Sequence, residues 1–310
     1  MQITKPVRKW VKQKIKNTYI EIESSKVPIE KKIEKILDIK KRQILEKNIE
    51  SAIYFPYKED SDSYVITGEK EYSEVCENGL PIPPQNLWLG YGNTTKEYLY
   101  GRIQTEKMIK ILDNADFDIN YCKRILDFGC GAGRMLRWLF PYSNTAEIWG
   151  TDISSDHITW ANNFLKPPFN FATTTTIPHL PFEDNYFNLI YAGSVFTHID
   201  DLVESWLLEL RRIINTNGRV YITVNDKHSL KLLKTSKIYV KIWLSQYVRE
   251  NQTFINAGDN FLKIVGMRGT RSQVFYDIEY FCESINNLFD VVSVNKEAYG
   301  FQTGILLKKK

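Results

Sequence analysis

Three glycines fall within five positions of RILDFGCGAGRMLRW, Arg124 to Trp138, and an aspartate stands two residues ahead of the first. Gly129, Gly131 and Gly133, with Cys130 between the first two, let a backbone turn sharply and pass close to a ligand, because no Cβ intervenes. At the junction of a buried strand and a helix, such a bend also offers unpaired N–H groups to negative charge. A dinucleotide fingerprint spaces its glycines G-x-G-x-x-G and seats a pyrophosphate there. Here the third glycine comes one residue early, and Asp127 would repel a pyrophosphate while attracting an ammonium. A tight strand-to-helix connection is the alternative; it accounts for one or two glycines and not for the acid.

Asp152 ends the stretch IWGTD. A carboxylate at the end of a neighbouring parallel strand can accept both hydrogen bonds of a ribose diol. Capping of the next helix is the other reading of Asp152, a role that Ser154 or Ser155 would fill equally well. His198, in SVFTHIDD, is the third candidate: an imidazole with an ordinary pKa near ~6.5 can take a proton from a hydroxyl, although a lone histidine also serves structure.

These residues need elements to hold them. From Leu87 onward helical and strand patterns alternate, the signature of a parallel sheet covered by helices. Strands are expected at Arg124 to Phe128, Glu147 to Asp152, Phe169 to Thr174, Phe187 to Gly193 and Arg219 to Val224, then at Asp290 to Val294 and Gln302 to Leu307 as an antiparallel pair. Helices are expected at Tyr98 to Leu112, at Ala132 to Phe140 with Pro141 as its stop, after Asp152, at Leu202 to Ile214, and behind a cap at Asp277. Asn217 and Gly218 read as the end of the fourth of these. Residues 225–276 form an insertion with a helical segment, positioned either as a lid or as a dimer contact.

The N-terminal 85 residues read as a helical arm and linker, and residues 86–310 as the main domain. The net charge is only +4, yet residues 1–50 carry 14 Lys or Arg against 7 Asp or Glu, so basic character belongs to the arm. Within residues 1–20 an apolar stripe of Val7, Trp10, Val11 and Ile15 among lysines suits either an anionic membrane surface or a partner protein. Cys76, Cys122, Cys130 and Cys282 are far apart and make no CxxC pair, so neither a disulfide framework nor a metal site is indicated. No apolar run approaches the 18 or so residues of a membrane span, and no secretory signal pattern opens the chain. The expectation is a cytoplasmic protein without a metal.

D-x-G-x-G-x-G after the first strand, an acid ending the second, LPFEDNYFNLI before the fourth, and the NTNGRVYITV turn and strand together resemble the class I S-adenosylmethionine-dependent methyltransferases. The resemblance covers nearly everything after Tyr98. It implies an α/β, doubly wound, mostly parallel seven-stranded sheet of order 3-2-1-4-5-7-6 with strand seven antiparallel, and S-adenosylmethionine as cofactor. On that resemblance Gly129, Gly131 and Gly133 pass close to the methionine part, Asp127 answers its ammonium, and Asp152 holds the ribose with Ile153 against the adenine. Thr175 or Thr176 stands where the family often has an adenine-binding aspartate, and Ala192 lines the methionine side. His198 sits where the acceptor pocket opens, and Arg102, Tyr98 and Tyr100, which precede the first strand, either fold over the cofactor carboxylate or pack on the surface of their helix.

An N/D-P-P-Y element is missing after strand four, where AGSVF stands instead, which speaks against methylation of nucleic-acid bases. The expected reaction is methyl transfer to a small-molecule or glycan-like acceptor, at oxygen. The alternatives are an RNA or protein methyltransferase that docks through the basic arm, and a non-catalytic cofactor-binding subunit.

Overall fold

The computed structural model describes residues 71–89, 91–239, 243–250, 262–265 and 272–310, with the backbone alone at 262–265. The expected basic arm and its membrane or partner contact lie outside the described residues. A seven-stranded sheet forms the centre: β3 (Arg124–Phe128), β4 (Glu147–Asp152), β5 (Asn170–Thr173), β6 (Phe187–Ala192), β7 (Ile214–Val224), β10 (Phe289–Tyr299) and β11 (Gln302–Lys309). Their order across the sheet is β10-β11-β7-β6-β3-β4-β5. Counted along the chain, that is 3-2-1-4-5-7-6 read from the opposite edge, and β11 runs antiparallel to both of its neighbours. Two short pairs complete the strands: β1 (Glu74–Val75) with β2 (Pro81–Ile82), and β8 (Leu262–Val265) with β9 (Gln273–Tyr276).

Both faces of the sheet are covered, which is why its central strands read as near-continuous apolar runs. On one face Ile125, Leu189, Tyr191, Tyr221 and Leu306 pack with Met108 and Leu112 of α2 (Gly101–Asp113) and with Ile158, Trp160 and Ala161 of α3 (Ser155–Phe164). The short α1 (Thr95–Tyr98) and the segment carrying Cys76, Leu80, Ile82 and Trp88 close the same layer. Residues 76–82, expected as linker, are therefore part of this core. On the other face Leu126, Ile190, Val220 and Ile305 meet Trp206, Leu207, Leu210 and Ile213 of α4 (Val203–Ile213). Within the insertion, α5 (Lys227–Thr235) and α6 (Trp243–Glu250) gather Leu233, Leu244 and Val248 with Phe275 of β9. Finally α7 (Ile278–Ser284) is capped by Asp277, which accepts from the N–H groups of Glu279 and Tyr280.

Two elements differ from expectation. The helix expected at Ala132 to Phe140 is instead a run of turns followed by a 3-10 helix, Leu136–Tyr142, which continues through Pro141. In a 3-10 helix the N–H that proline lacks would have served the carbonyl three residues back, that of Trp138. The Asn78 amide donates to the Arg137 carbonyl at 2.9 Å, which ties this helix to a residue 59 positions earlier. Likewise Asn217 and Gly218 do not end α4, which stops at Ile213; they lie within β7, where the register with β6 jumps between Phe187/Ile214 and Leu189/Arg219. A Cβ on Gly218 would come within 2.7 Å of the Asn188 carbonyl, and that close approach is what the glycine allows.

Candidate active site

The glycine bend is held, not loose. Gly129 has φ +79°, Gly131 φ +52° and Gly133 φ +75°, all left-handed conformations that side chains resist. The N–H groups of Gly129 and Cys130 both donate to the Thr151 carbonyl at the end of β4, at 2.7 and 3.0 Å. Gly131 N–H donates to Asp152 Oδ2 at 2.8 Å, while Asp152 Oδ1 accepts from Ser154 N–H at 2.8 Å. Asp152 thus locks the bend to its own strand without capping a helix, and each oxygen keeps a further lone pair for a ligand diol. The chain after β5 runs beside it, since Thr174 N–H donates to the Asp152 carbonyl at 2.9 Å. Thr176 and Ile153 are half-buried nearby in sequence, but the orphan in this stretch is Thr174, whose hydroxyl is buried without a partner.

His157, fully buried on α3, tightens the turn. Its Nε2 faces the Leu87 carbonyl at 3.1 Å and therefore carries the proton, so Nδ1 accepts from the Ser154 hydroxyl at 2.6 Å. Burial pushes its pKa below the usual histidine range, consistent with a neutral ring. Just beyond Leu87, Leu89 adopts φ +53° and reaches to 3.4 Å from where a Gly131 Cβ would stand.

Asp127 is buried on β3, and its Oδ2 has no hydrogen-bond partner. Strand alternation turns it to the face that Ile125 shares with Tyr191, and it is in register with Tyr191 of β6. Loss of hydration raises its pKa to about 8, with the Asp152 charge adding to the rise and the nearby Tyr191 hydroxyl opposing it. A buried acid with an unpaired oxygen beside a bare-backbone bend is suited to a cation that donates hydrogen bonds. The ammonium of an amino-acid moiety fits that description, as the diol of a ribose fits Asp152.

The loop after β6 borders the bend: a Cβ on Gly129 would collide with Val195. Gly193 packs against Met135 and the Tyr299 ring, with a would-be Cβ at 2.7 Å from Met135 Sδ. Ala192, expected to line the site, is fully buried on the opposite face beside Leu126 and Phe196. Strand alternation puts Ala192 on the side away from Asp127. Ser194, at φ +63°, is held there by Thr223 and Gln302: Ser194 N–H donates to Thr223 Oγ1 at 2.7 Å, and Gln302 Nε2 to Ser194 Oγ at 2.9 Å. His198 follows, with Nδ1 at 2.8 Å from the Ser272 carbonyl. That carbonyl can only accept, so the proton sits on Nδ1 and the Nε2 lone pair is left as the basic site. Burial depresses its pKa, and the Ser272 hydrogen bond partly offsets this.

Arg102 does not serve this cluster. Its side chain is 51% exposed on α2, bonded to Glu106 at 2.8 Å and to Glu77, with its guanidinium over the Trp138 ring. Two surface carboxylates hold it where sequence reasoning expected a ligand contact. Two buried cations stand near the bend: Arg137, which donates to the Gly133 and Ala132 carbonyls, and Arg134, directly after Gly133, with Nη1 at 2.7 Å from the Tyr299 hydroxyl and Nη2 at 2.7 Å from Gln104 Oε1. Its position in GAGR was the available signal, and only the fold pairs it with Tyr299. Among the described residues no group of three or more His, Cys, Asp or Glu could hold a metal ion. Likewise no described helix is long and apolar enough to cross a membrane.

Residues 126–222 match the model of a family described as a methyltransferase domain. The chain is 28% identical over 174 residues to an uncharacterized methyltransferase of Schizosaccharomyces pombe, covering 53% of this chain and 59% of that protein. It is 26% identical over 151 residues to a ubiquinone/menaquinone biosynthesis C-methyltransferase of Cupriavidus pinatubonensis, covering 46% and 60%. It therefore spans about three-fifths of the length of these relatives. A crystal structure of a Pyrococcus horikoshii protein superposes with a TM-score of 0.50 at 18% identity, over 71% of this chain and 95% of that one.

Proposed function

The chain carries the class I S-adenosylmethionine-dependent methyltransferase fold, and on that premise we propose that it transfers a methyl group from S-adenosylmethionine to a hydroxyl of a small-molecule or glycan-like acceptor. The observation that carries the reading is Asp127: a buried carboxylate with one oxygen unpaired, set against a bend of left-handed glycines that Asp152 pins from the next strand. Asp127 takes the ammonium and Asp152 the ribose diol, while Gly129, Cys130, Gly131 and Gly133 supply backbone without side-chain obstruction. Ile153 and Thr176 flank the adenine end.

When bound, the cofactor supplies an activated methyl sulfonium, so the chain's own task is alignment, exclusion of water and removal of one proton. His198 is the group for the last of these. With Nδ1–H fixed on the Ser272 carbonyl and burial keeping the ring neutral, Nε2 is free to accept the acceptor's hydroxyl proton. The insertion backs this arrangement: Val274 N–H donates to the Thr197 carbonyl at 2.8 Å, and the Tyr276 hydroxyl to the carbonyls of Phe196 and Ile199. We read the insertion as the lid that shapes the acceptor pocket, and the cytoplasm as the compartment.

The test has two stages. Calorimetry with S-adenosylhomocysteine should detect binding that Asp152→Ala weakens; equal affinity in the variant would refute the cofactor site. Incubation of the full chain with methyl-labelled cofactor and fractionated cell extract should then label a small-molecule or glycan fraction. Label confined to RNA or protein would overturn the acceptor class.

A further inference from the structure

Between Lys227 and Arg249 the insertion carries six lysines or arginines and no aspartate or glutamate, so this segment alone outweighs the chain's net charge of +4. The fold gathers it on a pair of helices. Along α5, Ser229 and Leu233 turn inward, while Lys227, Lys231 and Thr235 form an exposed stripe at four-residue spacing. Leu244 and Val248 of α6 pack with Leu233. The two helices are pinned where they meet: the Ser245 hydroxyl and Arg249 Nε both donate to the Leu233 carbonyl, at 2.5 and 3.2 Å, and Arg249 Nη2 donates to the Ser236 carbonyl at 3.1 Å. The pair is anchored at the carboxyl edge of β7, since the Ser229 hydroxyl donates to the Phe301 carbonyl at 2.8 Å and the Tyr239 ring stands 5.3 Å from that of Phe301, just ahead of β11.

What this rigid pair leaves outside is both basic and apolar. Ile238 is 83% exposed with exposed Lys237 beside it, and Trp243, the first residue of α6, is 56% exposed. Among the described residues no acid pairs with Lys231 or Lys237: Asp277 is taken by Lys227 at 2.7 Å, and Glu297 by His228 at 3.0 Å. A second copy of this chain seated here would bring like charges together, which opposes association. A nucleic acid would answer the lysines but not Ile238, which has neither a ring to stack on a base nor a group to hydrogen-bond. An anionic lipid surface answers all of them, because its headgroups attract the lysines, tryptophan settles where polar and apolar layers meet, and isoleucine enters the acyl boundary. We propose that α5 and α6 dock the protein on an anionic phospholipid membrane through Lys231, Lys237, Ile238 and Trp243. Docking needs no membrane-spanning segment, and it turns the carboxyl edge of the sheet toward the lipid.

The full chain is to be sedimented with vesicles of phosphatidylcholine alone and of equal parts phosphatidylcholine and phosphatidylglycerol. Two double variants accompany it, Lys231→Gln with Lys237→Gln and Ile238→Ser with Trp243→Ser. Wild type should bind the anionic vesicles and not the neutral ones, and added salt should weaken the binding. The lysine variant should lose about 25-fold in affinity, about fivefold for each charge near an anionic surface. The apolar variant should lose about tenfold or more. All four side chains are exposed, so an unchanged thermal unfolding midpoint serves as the control on folding. Wild-type binding that is absent, or indifferent to lipid charge, would overturn the proposal. Binding equal in wild type and both variants would overturn it too, and would move the membrane contact to another segment such as residues 1–20. A chain that binds single-stranded RNA and no vesicles would make this surface a nucleic-acid site instead.

Discussion

Asp127 and Tyr191 face one another in register across β3 and β6, both fully enclosed, yet neither Asp127 Oδ2 nor the Tyr191 hydroxyl closes a hydrogen bond. Tyr191 is in turn in register with Tyr221 of β7, whose hydroxyl is also buried and unpartnered. Native interiors leave few polar groups in that state.

The acid's pKa of about 8 makes ligand binding depend on pH. Below that value Asp127 is neutral and cannot pair with an ammonium until it loses its proton. Affinity for S-adenosylhomocysteine should therefore rise by up to tenfold per pH unit between pH 6 and 8, then level off. Binding at pH 7 should release close to one proton, measurable by calorimetry in buffers of different ionisation enthalpy. Asp127→Asn should flatten the profile.

Stability of the ligand-free chain should move the other way. Because the folded pKa lies above the unfolded value of about 3.9, the folded state binds more protons, so this group's contribution is full below about pH 4 and is lost as pH climbs to about 8. Urea midpoints compared across that window should show a downward slope that Asp127→Asn removes.

Replacement of His198 should separate chemistry from binding. His198→Ala is expected to slow transfer to the labelled acceptor by about 100- to 10,000-fold, with S-adenosylhomocysteine affinity unchanged. Since burial lowers the pKa of this imidazole, its base form is already present at neutral pH, and the rate at saturating cofactor should fall only on the acid side. A variant with wild-type turnover would remove His198 from the reaction.

Asn78→Ala should cost about 0.5–1.5 kcal/mol in urea unfolding, because it removes the hydrogen bond to the Arg137 carbonyl. Fully buried Arg137 itself donates to the carbonyls of Gly133, Pro81 and Ala132, tying the chain ahead of Gln85 to the glycine bend. Loss of Asn78 should therefore also weaken S-adenosylhomocysteine binding. Unaltered stability would argue against the clamp.

Two left-handed glycines should behave differently when given a methyl. Gly300, with φ +61° and nothing within 4 Å of a would-be Cβ, should cost only about 1–2 kcal/mol of conformational strain on change to alanine. Gly129→Ala adds a collision with Val195 to the same strain, so it should lose more stability, and cofactor affinity with it. Thermal unfolding of both variants decides the point.

The sequence by itself determined the strands, their order in the chain, the glycine bend and the two acids. Buried parallel strands announce themselves as short apolar runs, and RILDF, EIWGTD and FNLIYA contain that signal locally. Residues 126–222 are recognisable for the same reason. What tertiary structure decided are the partnerships between residues distant in sequence. Arg134 and Arg102 look alike in a sequence; one is enclosed by Tyr299, 165 positions away, and the other is caught by Glu77 and Glu106. His198 acquires its tautomer from a carbonyl 74 residues later, and the 3-10 helix at Leu136 is bonded to Asn78, 59 positions before Arg137. Apolar periodicity is written in neighbouring residues, whereas the direction of a hydrogen bond and the burial of a charge depend on which distant groups the packed chain brings within 3 Å.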